Sequence, residues 1–308
     1  MQFKFWAMLT CLLCFGETSQ AGIVNASYVR NQSSFTSNVF DSGTGQFYSR
    51  PTYDPASSTP YTRYSNAGSF EANTSAGSVL LQGGGMAGTY AVANNGTIYG
   101  RSSSISGTTV SAWDATTGAL LNTASIPGIG GVNFTSTFNW GGFSGLNWMQ
   151  DETGTYVFGR LADSSGWQLN KMNANLTVAL TKTFVGTASY GYGFMLNGTL
   201  FLGNSYASPQ ISTAFNFGTG LTSVVDFELS SGFGYYSNTS YDMLTDTLYV
   251  QTDNRLFKVA NAAEVFGVAE ASPTPEPASM ALLAMGGGLL AFGRKRLSRR
   301  RHSADVNV

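Results

Sequence analysis

The sequence is poor in the residues that carry most enzyme chemistry. Its only histidine, His302, lies near the C-terminus, so the rest of the chain cannot form a Ser-His-Asp arrangement or a histidine-ligated metal site. Both cysteines, Cys11 and Cys14, fall in an apolar N-terminal run. Without that run, the protein has no thiol for a disulfide, a nucleophile or a zinc site. The sequence therefore predicts no metal and no cofactor.

Charged residues are scarce as well, at 11% of 308 residues, against about 25% in ordinary soluble domains. Between Gly22 and Pro275 there are 9 Lys and Arg residues and 14 Asp and Glu residues, a net charge of -5. The cations are too scattered to form a basic face, which excludes nucleic acid as a partner. The 37 glycines and 13% aromatic residues favour β-structure outside the cell.

The N-terminus has the features of an export signal. Lys4 precedes an uncharged apolar run from Phe5 to Phe15, and Ser19 and Ala21 are small residues two positions apart. This pattern is typical of a signal peptide cleaved after Ala21. We therefore predict a signal peptide at residues 1–21 and export by Sec-type machinery.

The C-terminus has three successive parts. A Pro-rich linker at residues 271–277 precedes an apolar segment, 278–293, and a basic segment, 294–308. The apolar segment predicts a single transmembrane helix, and the cations predict a cytoplasmic end. As a helix it is only about 24 Å long, short of the roughly 30 Å hydrocarbon core, which indicates a weak or temporary anchor. The stop-transfer cluster comprises Arg294, Lys295, Arg296, Arg299, Arg300 and Arg301.

This C-terminal region resembles the PEP-CTERM sorting signal of Gram-negative bacteria. The signature residues are Pro275, Glu276, Pro277, Ala278 and Ser279, followed in order by the apolar segment and the arginines. The resemblance implies recognition by exosortase, a membrane enzyme, with cleavage near the motif and transfer to the cell surface or exopolysaccharide matrix. The extension from His302 to Val308 departs from the family pattern. The alternative is a plain single-pass anchor.

The body contains a faint internal repeat. Four copies of a turn followed by a strand start 58, 44 and 48 residues apart. They are Gly96–Gly100, Gly154–Gly159, Gly198–Gly203 and Asp246–Val250. A second β segment follows each copy, and the first of these runs into a turn at Asp114–Gly118. Repeats of this length are typical of β-propeller blades, which stack because one blade cannot bury both faces.

These repeats predict an all-β body with a β-propeller or propeller-like domain at residues 85–270. The Trp113-Asp114 pair and the turn after it resemble the outer hairpin of WD40-like or quinoprotein-like blades. Residues 22–84 are predicted to be a polar lead segment or one divergent blade. An irregular β-sandwich or a β-solenoid is the alternative fold.

Few carboxylates are placed for catalysis. Asp226 and Glu228 are two apart on a predicted strand and would face the same side, as an acid/base or cation-binding pair. Asp151 and Asp242 precede strands, which favours a role in turns. The alternating Tyr190, Tyr192 and Phe194 could stack on sugar rings, but alternation of this kind favours packing in the core. The sequence therefore predicts that the body is not an enzyme.

Together these features predict an exported, surface-sorted bacterial protein with a structural or binding role in the cell envelope or exopolysaccharide matrix. Its precursor would be anchored in the inner membrane with the body outside the cytoplasm. Exopolysaccharide is the expected partner besides the processing enzyme. The alternatives are an extracellular, carboxylate-dependent enzyme acting on polysaccharide and a permanently membrane-anchored protein.

Overall fold

A computed structural model of the protein describes residues 21–33, 36–51, 59–83, 86–102, 108–129, 146–163, 165–186, 190–230 and 235–268. Within these residues the chain forms five β-sheets arranged as the blades of a propeller. The predicted signal segment up to residue 20, the Pro-rich linker, the predicted transmembrane segment and the sorting motif lie outside the described residues.

After two N-terminal strands, the strands follow the chain in order, with four in each of blades 1 to 4 and three in blade 5. The N-terminal strands are β1 (Ala21–Val24) and β2 (Ser27–Asn31). Blade 1 contains β3 (Thr36–Phe40), β4 (Phe47–Pro51), β5 (Tyr61–Tyr64) and β6 (Gly77–Val79). Blade 2 contains β7 (Met86–Asn94), β8 (Thr97–Ser102), β9 (Thr109–Asp114) and β10 (Leu120–Ser125). Blade 3 contains β11 (Asn147–Asp151), β12 (Gly154–Arg160), β13 (Gly166–Met172) and β14 (Val178–Val185).

The last two blades use the N-terminal strands. Blade 4 contains β15 (Tyr192–Leu196), β16 (Thr199–Gly203), β17 (Gln210–Asn216) and β18 (Thr222–Leu229), with β1 added in parallel to β18. Blade 5 contains β19 (Tyr236–Asp242), β20 (Thr247–Thr252) and β21 (Arg255–Ala260), with β2 as its outer strand. Residues from both ends of the domain therefore complete blade 5, which holds the ring closed.

The first strand of each blade lies innermost and packs against the first strands of both neighbours, so that β3 contacts β7 on one side and β19 on the other. The strands within each blade pair antiparallel, apart from β1. The propeller prediction is confirmed. The four repeat copies correspond to the second strands of blades 2 to 5.

Turn chemistry explains why the repeat copies begin where they do. Asn95 and Gly96 join β7 to β8 with φ of 49° and 75°, and Asn197 and Gly198 join β15 to β16 with φ of 45° and 72°. Two successive positive φ values define the two-residue turn that fits the twist of a hairpin, and Asn-Gly is its favoured sequence. These turns fix the register of the inner hairpins of blades 2 and 4.

The core consists of five apolar clusters, one between each pair of neighbouring blades. Tyr156 and Phe158 of blade 3, for example, pack with Leu200 and Phe215 of blade 4, and all four are at most 1% exposed. The other clusters join blades 4 and 5, 1 and 2, 2 and 3, and 5 and 1. Both faces of each blade are buried in this way.

Two short helices lie in the described chain, α1 (Ala67–Glu71) and α2 (Ala262–Val265). Asn66 caps α1 by accepting a hydrogen bond from the Ser69 amide. The buried Phe70 of α1 stacks on Phe47 at 4.6 Å, and Glu71 accepts hydrogen bonds from Lys258 and Tyr249 of blade 5. Helix α1 thus reinforces the junction between blades 5 and 1. No helix within the described ranges is long and apolar enough to cross a membrane.

The contribution of β1 to the stability of the propeller can be measured by substituting two adjacent residues. Val24 is 2% exposed and packs in the cluster between blades 4 and 5, whereas Ile23 is 72% exposed. We expect Val24→Ala to lower the free energy of unfolding by about 2 kcal/mol, because it removes buried methyl groups and leaves a cavity. Ile23→Ala should change it by less than about 0.5 kcal/mol. Equal effects in urea denaturation would contradict a stabilising role for β1 in the packing between blades 4 and 5.

Candidate functional site

The inner strands give the propeller a channel with two distinct ends. We call the face at which β3, β7, β11, β15 and β19 finish the strand-end face. Its residues are Asp41, just after β3, and the last residues of the other four strands, Asn94, Asp151, Leu196 and Asp242. The sequence thus repeats a short polar residue at this position in four of the five blades.

Two of these carboxylates tie neighbouring blades together. The Asp41 Oδ1 atom accepts hydrogen bonds from the amides of Gly43 and Thr44 in its own turn, and its Oδ2 atom accepts one from the Gly96 amide of blade 2 at 2.8 Å. Asp151 repeats the arrangement, with Oδ2 accepting from the Gly198 amide of blade 4 at 2.7 Å. Both carboxylates are almost fully buried. The prediction that Asp151 serves a turn describes half of its role.

Burial and hydrogen bonding shift the pKa of aspartate side chains in opposite directions. Desolvation raises the pKa of Asp151, although the Thr153 hydroxyl and the amides of Gly198, Thr153 and Gly154 lower it in part. At the exposed Asp114, hydrogen bonds from Thr117 and Thr116 lower the pKa. The difference arises because Asp151 lies between blades and Asp114 lies at the surface.

Hydrogen bonds connect the blades inside the channel. Gln150 of blade 3 donates through Nε2 to the Phe40 carbonyl of blade 1 at 2.6 Å. Thr239 of blade 5 donates to the Gly193 carbonyl of blade 4 at 2.6 Å. The first bond joins two blades that are not consecutive in the chain, and the second joins two neighbouring blades; both satisfy buried polar groups.

Tyr90 of β7 also contacts blades on the opposite side of the channel. Its hydroxyl lies beside the Thr239 hydroxyl and the Gly193 carbonyl, on the other side of the ring. Burial raises the pKa of Tyr90, and these two hydrogen-bonding groups lower it in part. Met149 and Met195 pack in the same cluster as Tyr90. The side chains therefore fill much of the channel.

What remains is a central cavity of about 20 Å³. Side chains from all five blades line it, among them Phe40, Val92, Gln150, Met195 and Tyr241. Tyr241 is the one ionisable residue among the described lining residues, and burial, together with the nearby carboxylates, raises its pKa. A cavity of this size has room for about one water molecule, and its described lining contains no pair of groups for acid/base chemistry.

Two buried arginines lie toward the opposite end of the channel. Arg50 in β4 pairs with Ser37 of β3, and Arg101 in β8 pairs with Ala87 of β7. Each is 1% exposed, and burial lowers the pKa of Arg101 to about 10. The sequence placed Arg101 among scattered surface cations, because a lone arginine in a strand carries no signal of burial.

The carboxylates suggested for catalysis lie elsewhere. Asp226 and Glu228 share the exposed face of β18, which lies between β17 and the outermost strand β1 of blade 4, and Asp226 accepts a hydrogen bond from Gln210 at 2.9 Å. Asp242 accepts from the Leu244 amide in the turn before β20. Tyr190, Tyr192 and Phe194 are at most 5% exposed and pack in the clusters on either side of blade 4. Within the described residues no group of three or more His, Cys, Asp or Glu side chains could hold a metal.

Comparison with known protein families shows to which family this propeller belongs. The olfactomedin-like domain matches residues 26–260, from β2 to the end of β21. The chain belongs to the olfactomedin-like domain family. The olfactomedin domain is itself a β-propeller, which agrees with the propeller-like blades that the sequence predicted.

The relatives with curated sequences are myocilins. Dog myocilin is 28% identical over 167 residues, which cover 52% of this chain and 34% of the relative. Human myocilin is 27% identical over 146 residues, which cover 46% of this chain and 29% of the relative. This olfactomedin-like chain therefore spans about a third of the length of the relatives it matches.

Solved structures with some similarity to this chain are more distant. The glutaminyl cyclase of Myxococcus xanthus superposes with a TM-score of 0.49 and 11% identity, covering 78% of this chain and 97% of that one. A GH43 β-1,3-galactosidase gives 0.45 and 9%, covering 75% and 93%. Similarity at this level carries no argument about activity.

A second family match lies beyond the propeller. The PEP-CTERM protein-sorting motif matches residues 273–301, which include Pro275 to Ser279 and the arginines from Arg294 to Arg301. The chain thus combines an olfactomedin-like propeller with a C-terminal sorting motif, and the predicted resemblance is confirmed.

The link between blades at Asp151 predicts a specific loss of stability. We expect Asp151→Ala to lower the free energy of unfolding by about 2 kcal/mol, because the partly buried amide of Gly198 loses its acceptor. Asp163 is the matched control, since it makes the same kind of turn with Ser165 at the surface of blade 3. Asp163→Ala should cost clearly less in urea denaturation. An equal cost would mean that Asp151 acts only within its turn.

The raised pKa of Asp151 predicts how the stability of the protein changes with pH. The folded protein holds this proton more tightly than the unfolded chain, whose Asp side chains titrate near the ordinary value of 3.8. The stability of the wild type relative to Asp151→Asn should therefore fall as pH rises from 3.8 through the raised pKa. Urea denaturation of both proteins over a pH series measures this difference. A difference that grows with pH would contradict the prediction.

Proposed function

We propose that this protein is exported, processed at its C-terminal PEP-CTERM signal and delivered to the cell surface or exopolysaccharide matrix, where the olfactomedin-like propeller has a binding or structural role. The observation that carries the proposal is the joint presence of the sorting motif at residues 273–301 and a propeller at residues 26–260. The motif determines the destination, and the propeller is the part that acts there.

The chemistry of the propeller supports binding in preference to catalysis. The buried carboxylates Asp41 and Asp151 are engaged by backbone amides of two blades, which leaves them unsuited to proton transfer. Asp226 and Glu228 lie on an exposed outer strand and not in the central cavity. A carboxylate-dependent polysaccharide hydrolase therefore has less support than a binding module.

The order of the C-terminal segments supports processing by an exosortase-type enzyme. Such an enzyme would recognise Pro275, Glu276 and Pro277 while the apolar segment 278–293 holds the precursor in the membrane. Removal of that segment would free the propeller from the membrane. Sec-type export would bring the body to the correct side beforehand.

Intact mass of the protein from its native host tests this proposal. We expect the mature protein to lack residues 1–21 and everything beyond about Pro277. Glu276→Ala should retain the segment from Arg294 to Val308, because it alters the recognised motif. Glu270→Ala is the matched control, as it changes the same residue type outside the segment that matches the motif, and it should be processed like the wild type.

Two results would contradict the proposal. A wild-type protein that keeps Arg294 to Val308 in the membrane fraction would be permanently anchored. Normal processing of the Glu276→Ala protein would show that the motif is not what the processing enzyme recognises.

A further inference from the structure

Two tyrosines lie side by side on the surface, at the end of the channel opposite the strand-end face. Tyr206 lies in the loop between β16 and β17 of blade 4, and Tyr235 immediately precedes β19 of blade 5. Their ring centroids are 5.3 Å apart, with 40° between the ring planes. Tyr235 is 53% exposed, and Tyr206 is partly exposed. We call these two residues the tyrosine pair.

Main-chain contacts hold the tyrosine pair in place. The Tyr236 amide donates to the Tyr206 carbonyl at 2.8 Å, which joins the loop of blade 4 to blade 5. Asp253 accepts a hydrogen bond from the Tyr235 amide at 3.1 Å through Oδ1, and its own amide donates to the Tyr235 carbonyl at 2.9 Å. Gly191 has no side chain, which lets the Tyr206 backbone lie directly against it. Both rings are therefore positioned before a ligand arrives, which lowers the entropic cost of binding.

The polar groups beside the tyrosine pair are available to a ligand. Neither phenol hydroxyl of the pair forms a hydrogen bond with a described residue, and the same holds for the Asp253 Oδ2 atom and the side chain of the exposed Asn254. By contrast Tyr28, which is 55% exposed, donates its hydroxyl to Asn31. The surface around the pair thus offers aromatic rings together with donors and acceptors of hydrogen bonds.

A neutral sugar chain matches this combination of groups. Each sugar ring has an apolar C–H face that packs against an aromatic ring, and hydroxyl groups at its rim that both donate and accept hydrogen bonds. The carboxylate of Asp253 attracts hydroxyl donors but repels an acidic polymer. The spacing of 5.3 Å between the two rings is close to the length of one sugar unit in a chain.

We propose that the tyrosine pair binds a neutral polysaccharide, with consecutive sugar units against the rings of Tyr235 and Tyr206. Sugar hydroxyl groups would donate to Asp253 and accept from Asn254. This inference rests on the proposed function and deepens it, because it names the class of matrix component that the propeller holds. The two tyrosines belong to different blades, so the site exists only where blades 4 and 5 pack together.

Nitration of the full chain, purified in a detergent without a sugar headgroup, provides the test. Tetranitromethane modifies accessible tyrosine rings, and peptide mass spectrometry gives the rate for each ring. Cellohexaose, maltohexaose, laminarihexaose and mannohexaose are added separately up to millimolar concentrations. We expect at least one of them to slow nitration of Tyr235 by about 2-fold once half of the protein is bound, because a sugar over the ring shields it. Tyr28 is the matched control, since it is equally exposed, and its rate should not change.

Variants distinguish contact with the rings from a general effect. Tyr235→Ala removes one ring and should weaken binding, measured by isothermal titration calorimetry, roughly 2- to 10-fold, as expected for one aromatic contact. Tyr235→Phe keeps the ring and should bind more like the wild type. Tyr28→Ala is the control for loss of an exposed ring elsewhere and should leave the affinity unchanged. Because both positions are exposed, these substitutions leave the core intact.

Three outcomes would overturn this inference. All four saccharides could leave the nitration of Tyr235 unchanged, or Tyr28 could be shielded to the same extent. The third is saccharide binding that Tyr235→Ala does not weaken, which would place the saccharide elsewhere on the propeller. Each outcome leaves the C-terminal processing experiment untouched, so failure of sugar binding and failure of sorting can be told apart.

Discussion

Apolar packing between neighbouring blades is the interaction on which the rest of this structure depends. A four-stranded sheet has two faces, and each cluster of buried residues uses one face from each of two blades. Burial is complete only when the ring closes, because an open row of blades leaves two apolar faces in water. The N-terminal strand β2 achieves closure by pairing with β21 of the last blade.

Polar groups adapt to this packing by linking blades. Asp41 and Asp151 each accept amide hydrogen bonds in their own turn and from the next blade, so a single carboxylate holds two hairpins in register. Gln150 donates to the Phe40 carbonyl across the channel, and Thr239 donates to the Gly193 carbonyl of the neighbouring blade. Since an unsatisfied polar group in a dry interior is costly, these links stabilise one arrangement of the five blades over slipped alternatives.

The same features leave little acid/base chemistry in the described interior of the propeller. Asp41 and Asp151 are committed to hydrogen bonds between blades, and the lining of the central cavity consists of amide, hydroxyl, aromatic and aliphatic groups. Groups of this kind pack and form hydrogen bonds, but they do not provide a pair of groups for proton transfer.

The sequence by itself determined the strand positions of the repeat, the Asn-Gly turns and the C-terminal sorting motif, because each depends on residues close together in the chain. Only the tertiary structure decided that there are five blades, that residues 21–31 complete blades 4 and 5, and that residues 36–79 form a blade of their own. The partners of Gln150 and Glu71 are 110 and 187 residues away, and no local pattern encodes such pairs.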